Sequence, residues 1–224
     1  MGEVLRHSLA DRCMHWANAV LWLLLFITGM GLVQHEALAP FGQAYPHLLR
    51  RMVGGGGNLL LVHITLGCLW MACFAAYIAF NWKNTVFFLR EVFSVQAGDM
   101  IWLRRKMPLM VFGPALAARF GLGTTLPPQG FYNMGQKAFG MLNVLGGVTL
   151  AFSGGIMAFG IGSTWLIGWC VTMHYIAAGL VFIGLLAHLY MTLAVPSERP
   201  GLRSMFTGFV PESYAQSHHA NWKL

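Results

Sequence analysis

The chain has 224 residues, of which 57% are hydrophobic and only 9% are charged, and its mean hydropathy is +0.60. Soluble domains carry roughly 25% charged residues, so this composition excludes an ordinary soluble protein and indicates an integral membrane protein. The formal net charge of +7 requires no nucleic-acid partner, because basic residues beside membrane spans meet anionic lipid.

Four apolar runs are long enough to cross a bilayer, which takes about 20 residues in a helix. They cover residues 13–33, 58–80, 137–159 and 165–195. The third run is rich in glycine and other small residues, which let helices approach each other closely. We therefore predict an all-α membrane protein, a four-helix bundle in one domain of residues 1–224.

The first run allows an alternative, because Ala37-Leu38-Ala39 follows it and resembles a signal-peptidase site. Cleavage at that point would remove the whole run together with His15. We interpret the run as a retained spanning helix.

Basic residues lie almost entirely on one side of the predicted membrane. Of the 14 Lys and Arg, only Arg50 and Arg51 fall between the first and second runs, and none falls between the third and fourth. The positive-inside rule then places both termini, the loop at 81–136 and the tail at 196–224 in the cytoplasm.

Four histidines lie inside the apolar runs, where an ionisable or metal-binding side chain is by default functional. They are His15, His63, His174 and His188. The last two are 14 residues apart, so they share a helix face and are about 21 Å apart along it. One metal ion cannot bridge that length, since the ligands of a zinc ion lie within about 2.1 Å of it.

Helix direction sorts these histidines into two pairs. His63 and His174 lie near the outer ends of their spans, whereas His15 and His188 lie near the cytoplasmic side. Two imidazoles facing each other suit the axial positions of a haem iron, so the pairs predict an outer and an inner haem. The alternative is that each imidazole only hydrogen-bonds a carbonyl of a neighbouring helix.

The other five histidines are interpreted as solvated loop residues, with the last two as candidate contacts for docking of the tail. They are His7, His35, His47, His218 and His219.

Several motifs in this order resemble the membrane cytochrome b subunit of respiratory formate dehydrogenase. The motifs are R-x-x-H-W at 12–16, His63 early in the second run, Y-N-M-G-Q-K at 132–137, H-x13-H at 174–188, and the tail with M-F-T-G at 205–208, His218-His219 and Trp222. The four-histidine pattern alone is shared with hydrogenase cytochrome b and with superoxide oxidases of the b561 type. The 132–137 segment and the tail favour the formate dehydrogenase subunit over these two other kinds of cytochrome b.

The resemblance implies an electron-transfer subunit of an oxidoreductase complex in the bacterial cytoplasmic (inner) membrane. It implies two haem b groups, menaquinone or ubiquinone as acceptor, an iron–sulfur partner subunit and a periplasm-facing molybdenum or tungsten catalytic subunit. Electrons would pass from the iron–sulfur subunit to the outer haem, then to the inner haem and to quinone. Membrane lipid is a further partner, and a higher oligomer of the complex is compatible with the resemblance.

The resemblance also implies a quinone site at the start of the third span. Asn133, Gly135, Gln136 and Lys137 match the family motif there. From the residues alone, Asn133 would equally cap a helix and Lys137 would equally extend to lipid headgroups.

Two other functional classes stay open. A self-sufficient superoxide:quinone oxidoreductase would need no docking surfaces, and a transporter or lipid-modifying enzyme would be colourless. The long central loop, the loop at about 34–57 and the tail favour a subunit with partners.

Overall fold

The computed structural model describes residues 2–121 and 123–222. In chain order the elements are β1 (Glu3–Leu5), α1 (Leu9–Leu32), α2 (Ala44–Met52), α3 (Gly56–Phe80), α4 (Trp82–Phe93), α5 (Ala97–Arg119), α6 (Met134–Phe159), α7 (Thr164–Leu189), α8 (Arg199–Thr207), β2 (Phe209–Pro211) and α9 (Glu212–His218). Short 3-10 turns occupy Glu36–Leu38 and Pro196–Glu198, and a π turn at Tyr190–Ala194 continues α7. Lys223, a basic residue of the predicted cytoplasmic tail, lies outside the described residues.

Four helices are long and apolar enough to cross a membrane: α1, α3, α6, and α7 with its π turn. The predicted spans agree with these helices to within four residues at each end. The prediction of an all-helical protein with four candidate spans is therefore confirmed.

The chain divides into two compact units. The histidine unit comprises Ala10–Trp82 and Gly146–Leu180, and the tail unit comprises Met1–Leu9, Lys83–Leu145 and Val181–Leu224. The assignment of residues 1–224 to a single domain stays a prediction.

In the histidine unit, two side-chain hydrogen bonds join α1 to α3. Trp70 Nε1 donates to Asn18 Oδ1 at 2.8 Å, and the Tyr77 hydroxyl donates to the Asp11 carboxylate. Polar groups in apolar helices bond across the helix interface because lipid offers them no partner. These bonds fix the register of α1 against α3.

The segment at 34–57 contains α2, which is tied back to the end of α1. Arg50 donates to the last carbonyls of α1 and of the residue after it, those of Gly31, Leu32 and Val33. A cation suits this position because the final carbonyls of a helix have no intrahelical partner and carry partial negative charge.

In the tail unit, β1 and β2 form a two-stranded antiparallel sheet in which Val4 is opposite Val210. Val210 is fully buried and forms a small core with Tyr214 and Ala215, against which Trp222 packs. This sheet was not predicted from sequence, because three-residue strands carry no measurable alternation.

The predicted loop at 81–136 contains α4 and α5. Gly113 interrupts α5 with φ 74°, a left-handed conformation that favours glycine, and Pro114 follows it. The helix therefore consists of a long first segment, residues 97–112, and a short second one.

Candidate functional site

His63 of α3 and His174 of α7 face each other within the histidine unit. Their ring centroids are 6.2 Å apart and their planes are inclined at 71°. The structure thus brings together the two histidines that the sequence assigned to the outer site.

Each imidazole is contacted by one hydroxyl group. The hydroxyl beside His63 comes from α1, and the hydroxyl beside His174 comes from α6. Thr28 Oγ1 of α1 lies 2.9 Å from Nδ1 of His63, and Ser153 Oγ of α6 lies 2.9 Å from Nδ1 of His174. Each hydroxyl also lies within donating distance of a carbonyl one turn earlier in its own helix. The distance is 2.8 Å from Thr28 Oγ1 to Leu24 O and 2.6 Å from Ser153 Oγ to Thr149 O.

These contacts suit the Nδ1–H tautomer of both rings. A hydroxyl has one proton, and when it donates that proton to the carbonyl its oxygen accepts from Nδ1–H of the imidazole. The other ring nitrogen, Nε2, then keeps its lone pair. A ligating histidine that donates its second nitrogen to a fixed acceptor is the arrangement typical of metal sites.

Two glycines let the helix backbones approach the imidazole rings. A Cβ at Gly29 would lie 3.2 Å from Cε1 of His63, and a Cβ at Gly154 would lie 3.2 Å from Cε1 of His174. Each glycine follows the hydroxyl residue that contacts the same ring. The two halves of the site are therefore built alike, a hydroxyl-glycine pair behind each imidazole.

The spacing of the rings would suit two imidazole ligands of one metal ion. A metal–imidazole bond is about 2 Å and each ring centre lies about 1 Å beyond its nitrogen, so the two centroids of such a pair are roughly 6 Å apart. Among the described residues, no group of three or more His, Cys, Asp or Glu side chains could hold a metal ion. Two imidazoles at this spacing would suit a metal whose other ligands come from a macrocycle.

The second predicted pair divides between the two units. His15 belongs to the histidine unit and contacts Trp16 edge-on, with centroids 5.2 Å apart. His188 belongs to the tail unit and stacks on Phe139, with centroids 4.7 Å apart. The pairing of His15 with His188 stays a prediction from sequence.

The predicted quinone-site residues cap the start of α6. The Gln136 backbone N–H donates to Asn133 Oδ1, and the Asn133 backbone N–H donates to Gln136 Oε1, each at 3.0 Å. This reciprocal arrangement is a capping box, which satisfies two N–H groups that lack intrahelical partners. Gly135 lies beside it, where a Cβ would be 3.3 Å from Asn133 Oδ1.

Lys137 is buried in an ion pair. Its Nζ lies 2.8 Å from Asp99 Oδ2 and donates to Ser94 O at 2.8 Å, and both charged side chains are 6% exposed. The alternative in which Lys137 extends to lipid headgroups is wrong, because its ammonium is enclosed by the 94–99 segment instead.

The C-terminal tail docks onto the segment that precedes α6. A hydrogen bond of 2.8 Å joins His219 Nδ1 to Gly130 O, and the Asn221 N–H donates to Gln129 O. Gln129 Oε1 in turn accepts from the N–H of Met134, the first residue of α6. His219 is 1% exposed, so its interpretation as a docking contact is confirmed and that as a solvated residue is wrong.

His219 is neutral in this environment. Burial lowers its pKa to about 3, and the nearby positive charge of Arg6 acts in the same direction. Arg6 itself is buried, donates to Phe131 O at 2.8 Å and lies over the rings of Phe131 and Trp222.

Comparison with known proteins identifies the family. A family model described as prokaryotic cytochrome b561 matches residues 6–208. The chain belongs to the prokaryotic cytochrome b561 family. Among similar proteins, the formate dehydrogenase cytochrome b556(fdo) subunit of Escherichia coli strain K12 is 22% identical over 228 residues, covering 98% of this chain and 91% of that protein. The formate dehydrogenase cytochrome b556 subunit of Haemophilus influenzae is 23% identical over 227 residues, covering 98% and 82%.

Membership of the cytochrome b561 family implies haem b, and the His63/His174 arrangement fits that group. Two residues that contact the imidazoles, Thr28 and Ser153, were not predicted from sequence. The sequence does contain a pattern that could have indicated them, because both are hydroxyl residues that directly precede a glycine inside an apolar helix. Asp99 and Gln129 were also missed, and no local pattern singles them out.

Proposed function

We propose that this cytochrome b561-family chain is the membrane cytochrome b subunit of a periplasm-facing respiratory formate dehydrogenase, which delivers electrons to quinone. The observation that carries the proposal is the facing pair His63 and His174, each oriented through Nδ1 by a hydroxyl. Similarity over 98% of the chain to formate dehydrogenase cytochrome b556 subunits supports the choice of donor.

In this proposal the outer site is formed by four helices. His63 and His174 would hold the iron through Nε2, while Thr28 and Ser153 keep each ring in one tautomer and orientation. Bound haem b supplies one-electron transfer. From their positions in the sequence, we propose His15 and His188 as the ligands of a second, inner haem b.

We further propose that quinone binds beside the capping box of α6. The cap uses Oδ1 of Asn133, which leaves its side-chain amide as a donor toward a quinone carbonyl. Gly135 packs beside the cap, where a Cβ would lie 3.3 Å from Asn133 Oδ1 and 3.7 Å from the ring of Trp102, and Gln136 holds the Asn133 backbone N–H. Lys137 is a positioning residue, because its ion pair with Asp99 fixes the start of α6 against α5.

The partners in this proposal are an iron–sulfur subunit and a molybdenum or tungsten catalytic subunit. The distribution of basic residues supports a place in the bacterial inner membrane with both termini in the cytoplasm. Menaquinone or ubiquinone would be the acceptor.

Affinity purification of the tagged full chain from its native membranes tests this assignment. We expect an iron–sulfur polypeptide and a molybdenum- or tungsten-containing polypeptide to co-purify, and the preparation to reduce a quinone analogue when formate is added. A single polypeptide that reduces quinone with superoxide, or a red preparation inert to formate, would contradict the assignment. A colourless preparation would contradict haem binding altogether.

A further inference from the structure

The first segment of α5 exposes an apolar face. Five of its side chains are between 44% and 69% exposed: Met100, Ile101, Met107, Val111 and Phe112. At 100° per residue they fall within an arc of about 140°, so they form one continuous stripe along the helix.

Two charged side chains of the same segment, Asp99 and Lys106, point the opposite way. Asp99 is paired with Lys137 of α6, and Lys106 Nζ lies 3.0 Å from Glu198 Oε1. Trp102 lies on this inward face as well and is 7% exposed. A helix in contact with water buries its apolar stripe and exposes its charges. This helix does the reverse, so water is not the solvent for its outer face.

We propose that residues 97–112 form an interfacial helix, whose apolar stripe lies in the membrane boundary among anionic lipid headgroups. The leaflet is the one on the basic side, where the sequence places every Lys and Arg except Arg50 and Arg51. Neither the iron–sulfur partner nor the quinone site enters this inference, so it stands or falls separately from the proposed function.

The anchoring contacts put this segment at the level of the membrane boundary. Lys137 is the fourth residue of α6, and Glu198 follows the end of the last candidate span, Ala194, by four residues. A helix bonded to both of these residues lies beside the ends of two spanning segments. Its stripe is therefore held where headgroups meet hydrocarbon.

Charge complementarity selects anionic lipid as the partner. The exposed charges on α4 and α5 are all basic: Lys83, Arg90, Arg104 and Arg119. Arg104 lies within the apolar stripe, where its long aliphatic stem can cover apolar surface while the guanidinium reaches a phosphate. The two acidic residues of these helices are Glu91, which is partly buried, and Asp99, which is buried in its ion pair.

Spin labelling of the full chain in vesicles of phosphatidylcholine and phosphatidylglycerol tests the position of the stripe. The native residues Cys13, Cys68, Cys73 and Cys170 are replaced by Ala, and a nitroxide is attached after Val111→Cys or, as a control, after Thr124→Cys in the exposed coil that follows α5. We expect the label at 111 to be relaxed mainly by oxygen, which partitions into lipid, and the label at 124 mainly by a water-soluble nickel chelate.

Two results would overturn the proposal. Equal access of the nickel chelate to positions 111 and 124 would show that the stripe faces water. Exclusion of both reagents from position 111 would show a protein contact, either a partner subunit or a second copy of the chain.

A second measurement keeps all native cysteines. The preference of the protein for spin-labelled phosphatidylglycerol over phosphatidylcholine is compared in Arg104→Gln and in Arg203→Gln, an exposed arginine of α8 with 65% side-chain exposure. We expect Arg104→Gln to lower the preference by about twofold and Arg203→Gln to leave it nearly unchanged. An equal fall in both variants would show that only net charge matters, and would contradict a specific interfacial helix.

Discussion

The hydroxyl oxygen of Ser153 lies 2.9 Å from Nδ1 of His174, and the same hydroxyl lies within donating distance of the carbonyl of Thr149. Thr28 makes the matching contact with His63 from a different helix. With each Nδ1 beside a hydroxyl, Nε2 is the nitrogen of each imidazole that suits a metal. Ring orientation is fixed by the protein and does not have to be created by the ligand.

Removal of the Ser153 hydroxyl should weaken haem binding at the outer site. Ser153→Ala removes the hydroxyl that contacts Nδ1 of His174, and loss of such an outer partner typically lowers metal affinity about 10–100-fold. The rate of haem transfer to apomyoglobin measures this effect. Thr172→Val is the control, since the Thr172 hydroxyl donates to Gly168 O of its own helix. An equal rate in the two variants would remove the orienting role of Ser153.

The two adjacent glycines of α6 should differ in their tolerance of a methyl group. Gly154→Ala places Cβ 3.2 Å from Cε1 of His174, whereas Gly155→Ala meets no atom within 4 Å. We expect Gly154→Ala to rotate the imidazole and shift the electron paramagnetic resonance spectrum of the oxidised haem. Gly155→Ala should leave the spectrum unchanged and stabilise the helix by up to about 1 kcal/mol. Identical spectra for both variants would show that Gly154 has no contact with the ligand.

Neutralising Asp99 should strongly destabilise the tail unit. Asp99→Asn leaves the buried ammonium of Lys137 without its counter-charge, a change that costs about 3–5 kcal/mol for a buried pair. Unfolding by sodium dodecyl sulfate in mixed micelles measures the free energy. Asp99→Asn combined with Lys137→Met should recover most of the loss.

The exposed pair Arg203–Glu3 provides the matched control for Asp99→Asn. Its atoms are 3.7 Å apart and its side chains are 65% and 50% exposed, so Glu3→Gln should change the unfolding free energy by less than about 1 kcal/mol. Equal losses for Asp99→Asn and Glu3→Gln would show that the pair between α5 and α6 is not needed for stability.

Docking of the tail should weaken in acid. The pKa of His219 is about 3 in the folded chain and 6.5 when exposed, so the undocked tail binds more protons between these values. Stability of docking is therefore complete above pH 6.5 and falls as the pH is lowered toward 3. Hydrogen exchange at Asn221, whose N–H donates to Gln129 O, reports on docking after correction for intrinsic rates.

His219→Gln separates this titration from general acid effects. Glutamine cannot take up the proton, so the variant should dock more weakly at pH 7 and show little further change between pH 7 and 5. If His219→Gln retains the full pH dependence of the parent chain, another group is responsible.

Sequence patterns identify features that depend on one segment at a time. Length and hydropathy located the four spans, and helix direction with depth selected His63 and His174 as partners. Contacts between distant side chains could not be derived in this way. The pair of Asp99 with Lys137 depends on how α5 packs against α6, and the β1–β2 sheet joins the two ends of the chain. His219 was only a candidate contact, because nothing local shows that its ring is buried.

The haem content of two single variants tests most directly whether His63 and His174 bind the same haem. The full chain, His63→Ala, His174→Ala and the control His35→Ala are titrated by reduced-minus-oxidised spectroscopy with control of the potential. We predict that His63→Ala and His174→Ala each lose the same b-type centre, with one midpoint potential missing from both, while His35→Ala keeps all centres. Full haem content and unchanged potentials in both ligand variants would contradict the account.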